Sequence, residues 1–354
     1  MINNKVKEQS WRLHPLQGCI CSDGKDYSVS FKEGSINKLL VNFAGGGLSW
    51  KEETAAKPIT IGALLRKQEA FYINSVSPTM IKLMHVGILD TDNTRNPFHN
   101  WYVLNIPYAT ADFHIGCSAY PYRNIKGENK ILYHHGIKNV EAALDLLKDF
   151  FRETPEILVI SGQSAGAFGC VAHCPKIKNL YPDCDNIVVY SEGSHLYSPL
   201  WQEITRNVWK VNSELISYIK GNDLILDLFR YARDNMPLHT TFLHSNSVWD
   251  KTLTEFMYKM NHGKLSANPQ ALQEFHDTLI NAVRELKKEI PSYSYYLTDY
   301  GKNSKTGTTP HIFAGSPKLL YSDMQDNMSI ASWISKAIEK KPMDIGEQFI
   351  LKNL

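Results

Sequence analysis

Three residues in this chain have the types and order needed for nucleophilic catalysis: Ser164, Asp250 and His311. Ser164 lies in Gly162-Gln163-Ser164-Ala165-Gly166, a G-x-S-x-G pentapeptide that directly follows Ile157-Leu158-Val159-Ile160. Such an aliphatic run reads as a short strand buried in a parallel sheet, and the small residues after Ser164 suit the start of a helix. A sharp strand-to-helix turn would leave the Ser164 hydroxyl exposed and aim the Ala165 N–H at an oxyanion. The alternative is an ordinary strand–helix turn in which the glycines serve sterics only. A serine nucleophile needs a base and an acid that orients the base. His311 would be that base and Asp250 its orienter, each placed in a loop after an expected strand, in the order Ser, Asp, His of α/β hydrolases. Glu192 is a reserve acid at another strand end, and His195 and His244 are reserve bases that read as structural. His311 could also be a loop histidine bonded to backbone, and Asp250 a helix N-cap before Lys251-Thr252-Leu253.

The elements that must position these groups read as alternating strands and helices. Leu39 to Phe43 is a buried strand that runs into Gly45-Gly46-Gly47. Three glycines there let backbone N–H groups turn inward, so Gly46, Gly47 and Ala165 are the expected oxyanion donors. A flexible loop is one alternative. A phosphate cradle is disfavoured, because neither G-K-[ST] nor G-x-G-x-x-G spacing follows. Tyr27 to Phe31, Asn100 to Tyr108, Asn186 to Tyr190, Thr240 to His244 and Tyr293 to Leu297 are the other expected strands. Ile59 to Tyr72 could be a helix. Val140, Ala143, Leu144, Leu147, Phe150 and Phe151 keep a helical period before the serine strand, which gives a βαβ order and a parallel sheet. Trp201 to Arg233 reads as helical with a break at Gly221-Asn222, and Pro269 to Lys288 as a long solvated helix. Asp112 and His114 resemble a catalytic pair but read as hydrogen-bonded anchors of their loop, and His135 as a structural residue at a helix start.

Composition sets the class. The 354 residues carry 38 basic and 36 acidic side chains, a net charge of +2, with 43% hydrophobic residues. That balance suits one large α/β domain with a sizeable core and gives no basic block for nucleic acid or an anionic membrane. The expected organisation is a single α/β-hydrolase-like domain over 1–354, with residues 1–26 as a polar N-terminal extension. Met1 to Gly18 lacks an apolar h-region and no stretch is long enough to span a membrane, so a cytoplasmic setting is expected, although a trimmed signal would look the same. Cys19, Cys21, Cys117, Cys170, Cys174 and Cys184 do not form a disulfide-dense pattern. Cys170 and Cys174 would share a helix face, but with His173 and Cys184 they make no recognised zinc spacing, and buried thiols are expected. No metal or organic cofactor is expected.

Several stretches together resemble the pectin acetylesterase family, which includes the Notum-type carboxylesterases. They are Phe43 to Gly47, Asn96-Pro97-Phe98-His99-Asn100-Trp101, Ile106-Pro107-Tyr108 with Asp112 and His114, Ser161 to Gly166, Ser247 to Asp250, and the His311 loop. The resemblance implies an α/β-hydrolase variant with a mostly parallel central sheet flanked by helices, and Ser164, Asp250 and His311 as the triad. It further implies a serine carboxylic-ester hydrolase acting on O-acetyl groups of a carbohydrate. A lipid or other acyl esterase, and a catalytically silent carbohydrate-binding relative, are the competing readings. The family often has Cys at the place of Gln163 and a further Gly at that of Ala167. Its plant and animal members are secreted and disulfide-bonded.

Overall fold

The computed structural model describes residues 10–351. Among the described residues there are ten strands: β1 (Arg12–Ile20), β2 (Asp26–Lys32), β3 (Lys38–Phe43), β4 (Tyr102–Ile106), β5 (Ser118–Arg123), β6 (Asn129–His134), β7 (Ile157–Gln163), β8 (Ile187–Glu192), β9 (Thr241–Ser247) and β10 (Tyr293–Thr298). Eight form one sheet in the order β1-β2-β4-β3-β7-β8-β9-β10, and β5 and β6 pair as a separate hairpin. From β4 to β10 neighbours run parallel, whereas β1 and β2 close one edge antiparallel.

The parallel strands are apolar because both faces are covered. On one face Phe43, Leu158, Ile160 and Val189 belong to a core shared with the helices Gly136–Phe150 and Ala165–Lys178. On the other, Leu40, Val103, Val159 and Val188 pack with Ile88, Phe98 and Phe313 and with Trp333 of the helix Ile330–Ile338.

Two expectations need correction, and one element has no counterpart in the sequence reading. Residues 1–26 are not a polar extension throughout: 1–9 lie outside the described residues, but Arg12–Ile20 pairs with β2 as an edge strand of the main sheet. Its polar look comes from its position, since an edge strand buries only part of its residues. Ile59 to Tyr72 is helical only over Ile61–Leu65. Lys67 then takes φ 52°, and the chain doubles back so that the Phe71 N–H donates to Lys57 O and the Ile59 N–H to Tyr72 O. The helix before β7 is preceded by the β5–β6 hairpin, which no sequence signal had marked. All six cysteines are free thiols, and five of them are buried. Among the described residues no helix is long and apolar enough to cross a membrane.

Candidate active site

Parallel strands of such a sheet all point their C-terminal ends one way, and loops leaving those ends converge there. Ser164 follows β7, Asp250 follows β9 and His311 lies in the long loop after β10. Ser164 holds φ 55° and ψ −125°, a left-handed conformation costly for a side chain with a Cβ, as the first turn of the helix Ala165–Lys178 begins. Its neighbours must be small. A Cβ on Gly162 would lie 2.0 Å from Gly166 O, and one on Gly166 would lie 2.0 Å from Phe43 O. The Ser164 N–H donates to Glu192 O at 2.8 Å, which ties the turn to the end of β8.

His311 Nε2 lies 2.8 Å from Ser164 Oγ, and His311 Nδ1 lies 2.6 Å from Asp250 Oδ2. Both sequence readings of Asp250 hold at once. Its Oδ1 accepts the Leu253 N–H at 2.9 Å as N-cap of the helix Lys251–His262, leaving Oδ2 for the imidazole. The His311 loop is fastened to β9 by the Thr309 N–H, which donates to Trp249 O, and by a hydroxyl contact between Ser247 and Thr309. Burial pulls the His311 pKa down, but the charge and hydrogen bond of Asp250, with the charge of Glu192, outweigh it and leave it above the usual histidine value.

Ser164 and His311 line a cavity of about 660 Å³ together with Gly45, Gly46, Gly47 and Ala165. The glycine in contact with the serine is Gly45, which the sequence reading places in the glycine run but not among the donors: a Cβ there would sit 2.7 Å from Ser164 Cβ. Gly47 needs its φ of 82°, because a Cβ would strike Phe71 O. One wall is apolar, formed by Leu83, Met84, Val86, Ile88 and Leu89. Asn96 holds part of that wall, with Nδ2 donating to the Gly87, Ile88 and Asp90 carbonyls. The floor is polar, with Ser161 Oγ donating to Asn42 Oδ1 and Asn42 Nδ2 to Asn105 Oδ1.

Apart from His311, no candidate side chain bonds the Ser164 hydroxyl. Glu192 does not bond a histidine ring; its carboxylate accepts the Phe313 and Ala314 N–H groups. His244 is buried between Ser194 Oγ and the Tyr293 hydroxyl, and burial drops its pKa to about 3. His195 reaches Thr278, not Ser164. Asp112 accepts from Thr110, His114 N–H and Gly136 N–H, while the His114 ring meets Ala44 O, so the pair anchors its loop as read. Among the described residues no cluster of three or more His, Cys, Asp or Glu is placed to hold a metal.

The family model for pectinacetylesterases matches residues 6–198, a stretch that holds the glycine run and Ser164 and stops short of Asp250 and His311. Pectin acetylesterase 7 of Arabidopsis thaliana is 23% identical over 185 residues, and Pectin acetylesterase 11 of the same plant 25% over 188. Each match takes in 51% of this chain and 43% of the relative, so the matched part spans less than half the length of those proteins. The Wnt deacylase Notum from Drosophila superposes with a TM-score of 0.63 at 15% identity, over 95% of this chain and 96% of that one, and a second crystal form gives 0.62. That likeness establishes an α/β-hydrolase-like fold. With more than half of its length matched by the family model, the chain belongs to the pectinacetylesterase family.

Proposed function

We propose that this chain is a serine carboxylic-ester hydrolase in which Ser164 is the nucleophile, His311 the base and Asp250 the residue that orients it. The observation that carries the reading is the unbroken line from Ser164 Oγ through His311 to Asp250, 2.8 and 2.6 Å, opening onto a cavity. Ser164 Oγ attacks the ester carbonyl as His311 Nε2 takes its proton, and His311 Nδ1–H stays bonded to Asp250. The N–H groups of Ala165 and of the Gly46-Gly47 stretch hold the oxyanion, with Gly45 packed beside them. His311 then passes the proton to the leaving alcohol, and water deacylates Ser164 by the reverse sequence. No step calls on a metal or an organic cofactor.

The substrate in this reading is an O-acetyl ester of a carbohydrate, supported by the family and by the names of the two Arabidopsis relatives. A larger acyl group is the second reading, favoured by the apolar wall of Leu83, Met84, Val86, Ile88 and Leu89, which offers more surface than an acetyl group covers. A cytoplasmic setting belongs to the same proposal and rests on the six free thiols. Hydrolysis of p-nitrophenyl acetate, butyrate and octanoate tests the substrate reading. Highest kcat/KM on acetate supports the acetyl ester, highest on octanoate the larger acyl group, and no turnover of any ester contradicts hydrolysis.

A further inference from the structure

Glu192, the last residue of β8, is buried and acidic, and the mechanism just described makes no use of it. Its two ends do different work. The main-chain carbonyl accepts the Ser164 N–H at 2.8 Å. The carboxylate accepts Phe313 N–H at 3.0 Å and Ala314 N–H at 3.2 and 3.1 Å on its two oxygens, two and three residues past His311 in the same loop. The next residue, Gly193, has φ 63°, and a Cβ there would sit 3.2 Å from His311 Cε1, so the end of β8 is also the surface against which the imidazole rests. The far side of the loop is held as well, since Ala314 O accepts the Ile88 N–H from the cavity wall.

We propose that Glu192 is a positioning residue of this site: one residue ties the nucleophile's backbone to the loop of its base, setting the Ser164–His311 distance, and its negative charge acts on His311 as a second carboxylate beside Asp250. This rests on the triad reading. A buried carboxylate is costly unless hydrogen-bonded, and here backbone N–H groups of a single loop satisfy it. Burial raises its pKa to about 7 against the pull of those N–H groups, of Tyr190 on its own strand and of His311. The titratable groups that face it are therefore Tyr190 and His311, with Asp250 on the other nitrogen of His311. The charge of Glu192 raises the His311 pKa and that of His311 lowers the Glu192 pKa, so the protonation of each depends on the other. While Glu192 is ionised it favours the imidazolium, so it holds the acidic limb of the rate profile at higher pH than His311 and Asp250 would alone.

The experiment is the pH profile of kcat and kcat/KM on p-nitrophenyl acetate, or on whichever nitrophenyl ester wild type turns over best, for wild type, E192Q and E192D. The expected result for E192Q is a kcat about tenfold lower, from a loosened Ser–His geometry, with KM little changed. The acidic limb of kcat/KM also moves to lower pH, because the charge is gone. E192D keeps the charge and misplaces it, so kcat falls while the limb stays above that of E192Q. Should E192Q fail to fold, E192D decides: a reduced kcat with the wild-type limb supports the proposal, and wild-type kcat contradicts it. An E192Q enzyme with the wild-type kcat and limb overturns it and leaves the triad standing. A wild type inactive on every ester would sink the triad reading instead.

Discussion

Asp223, His195 and Thr278 repeat, elsewhere in the fold, the residue types of Asp250, His311 and Ser164. His195 Nε2 lies 2.9 Å from Thr278 Oγ1, and His195 Nδ1 lies 3.2 Å from Asp223 Oδ2, at an angle that makes no hydrogen bond. Asp223 even caps a helix with its other oxygen, as Asp250 does, by accepting the Leu226 N–H. The differences lie around the hydroxyl. Thr278 is inside the helix Pro269–Glu289 and donates to Glu274 O at 2.8 Å, with regular backbone. Ser164 stands on a left-handed turn at a strand end, facing a cavity of about 660 Å³. An acid, a histidine and a hydroxyl within reach of one another are therefore not sufficient. The hydroxyl must be free of a local backbone partner and open to a reactant, and a strained turn held by Gly162 and Gly166 provides both.

Substitution at the hydroxyl separates the two constellations most widely. Ser164→Ala should lower kcat/KM on p-nitrophenyl acetate by about 10⁴-fold or more. Thr278→Val should leave it within about twofold, since the bonds it loses, to Glu274 O and His195 Nε2, touch none of the reacting groups. Equal losses in both variants would erase the distinction. A smaller gap separates the acids. Asp250→Asn should cost about 10²–10⁴-fold in kcat, because asparagine can still cap the helix but no longer stabilises the imidazolium. Asp223→Asn should change kcat by less than about twofold, and unchanged thermal melts of both variants would confirm that neither cap nor fold was altered. The smallest effect is in pH. His311 works as a base only when neutral, and its pKa lies above the ordinary histidine value. The wild-type kcat/KM should then rise with pH along a limb whose midpoint exceeds about 6.5, the unperturbed figure. In Asp250→Asn the residual activity should show that limb at lower pH, while His195→Gln should leave it in place.

Much of this was legible in the chain, and the reasons are local. β7 and its pentapeptide carry their signal in adjacent residues, and Asp250 and His311 each follow a strand recognisable from its own composition. Asp112 and His114 lie in a loop at a strand end, where sites collect, and read as anchors all the same, which the bonds of Asp112 to Thr110, His114 and Gly136 bear out. What escaped depends on distant partners. The register that brings Gly45, and not only Gly46 and Gly47, against Ser164 is set by β3 pairing with β7, Phe43 opposite Gly162. The return of the chain at Lys67 depends on Phe71 and Tyr72 finding Lys57 and Ile59. β1 looks polar in isolation and becomes a strand only through β2. Glu192 was visible as an acid at a strand end, but its carboxylate points at backbone amides more than a hundred residues later, which no periodicity records. The helix Ile330–Ile338 covers β8 and β10 through Trp333 against Tyr190 and Tyr296, a contact equally invisible in spacing.

The most direct test of the central claim is covalent labelling by a fluorophosphonate, read by intact mass and by mapping the modified peptide. One adduct per chain on the peptide that contains Ser164, with loss of ester hydrolysis in step and no adduct in Ser164→Ala, is the predicted result. Ester hydrolysis that persists in Ser164→Ala, or an adduct carried by any other serine or threonine, would contradict it.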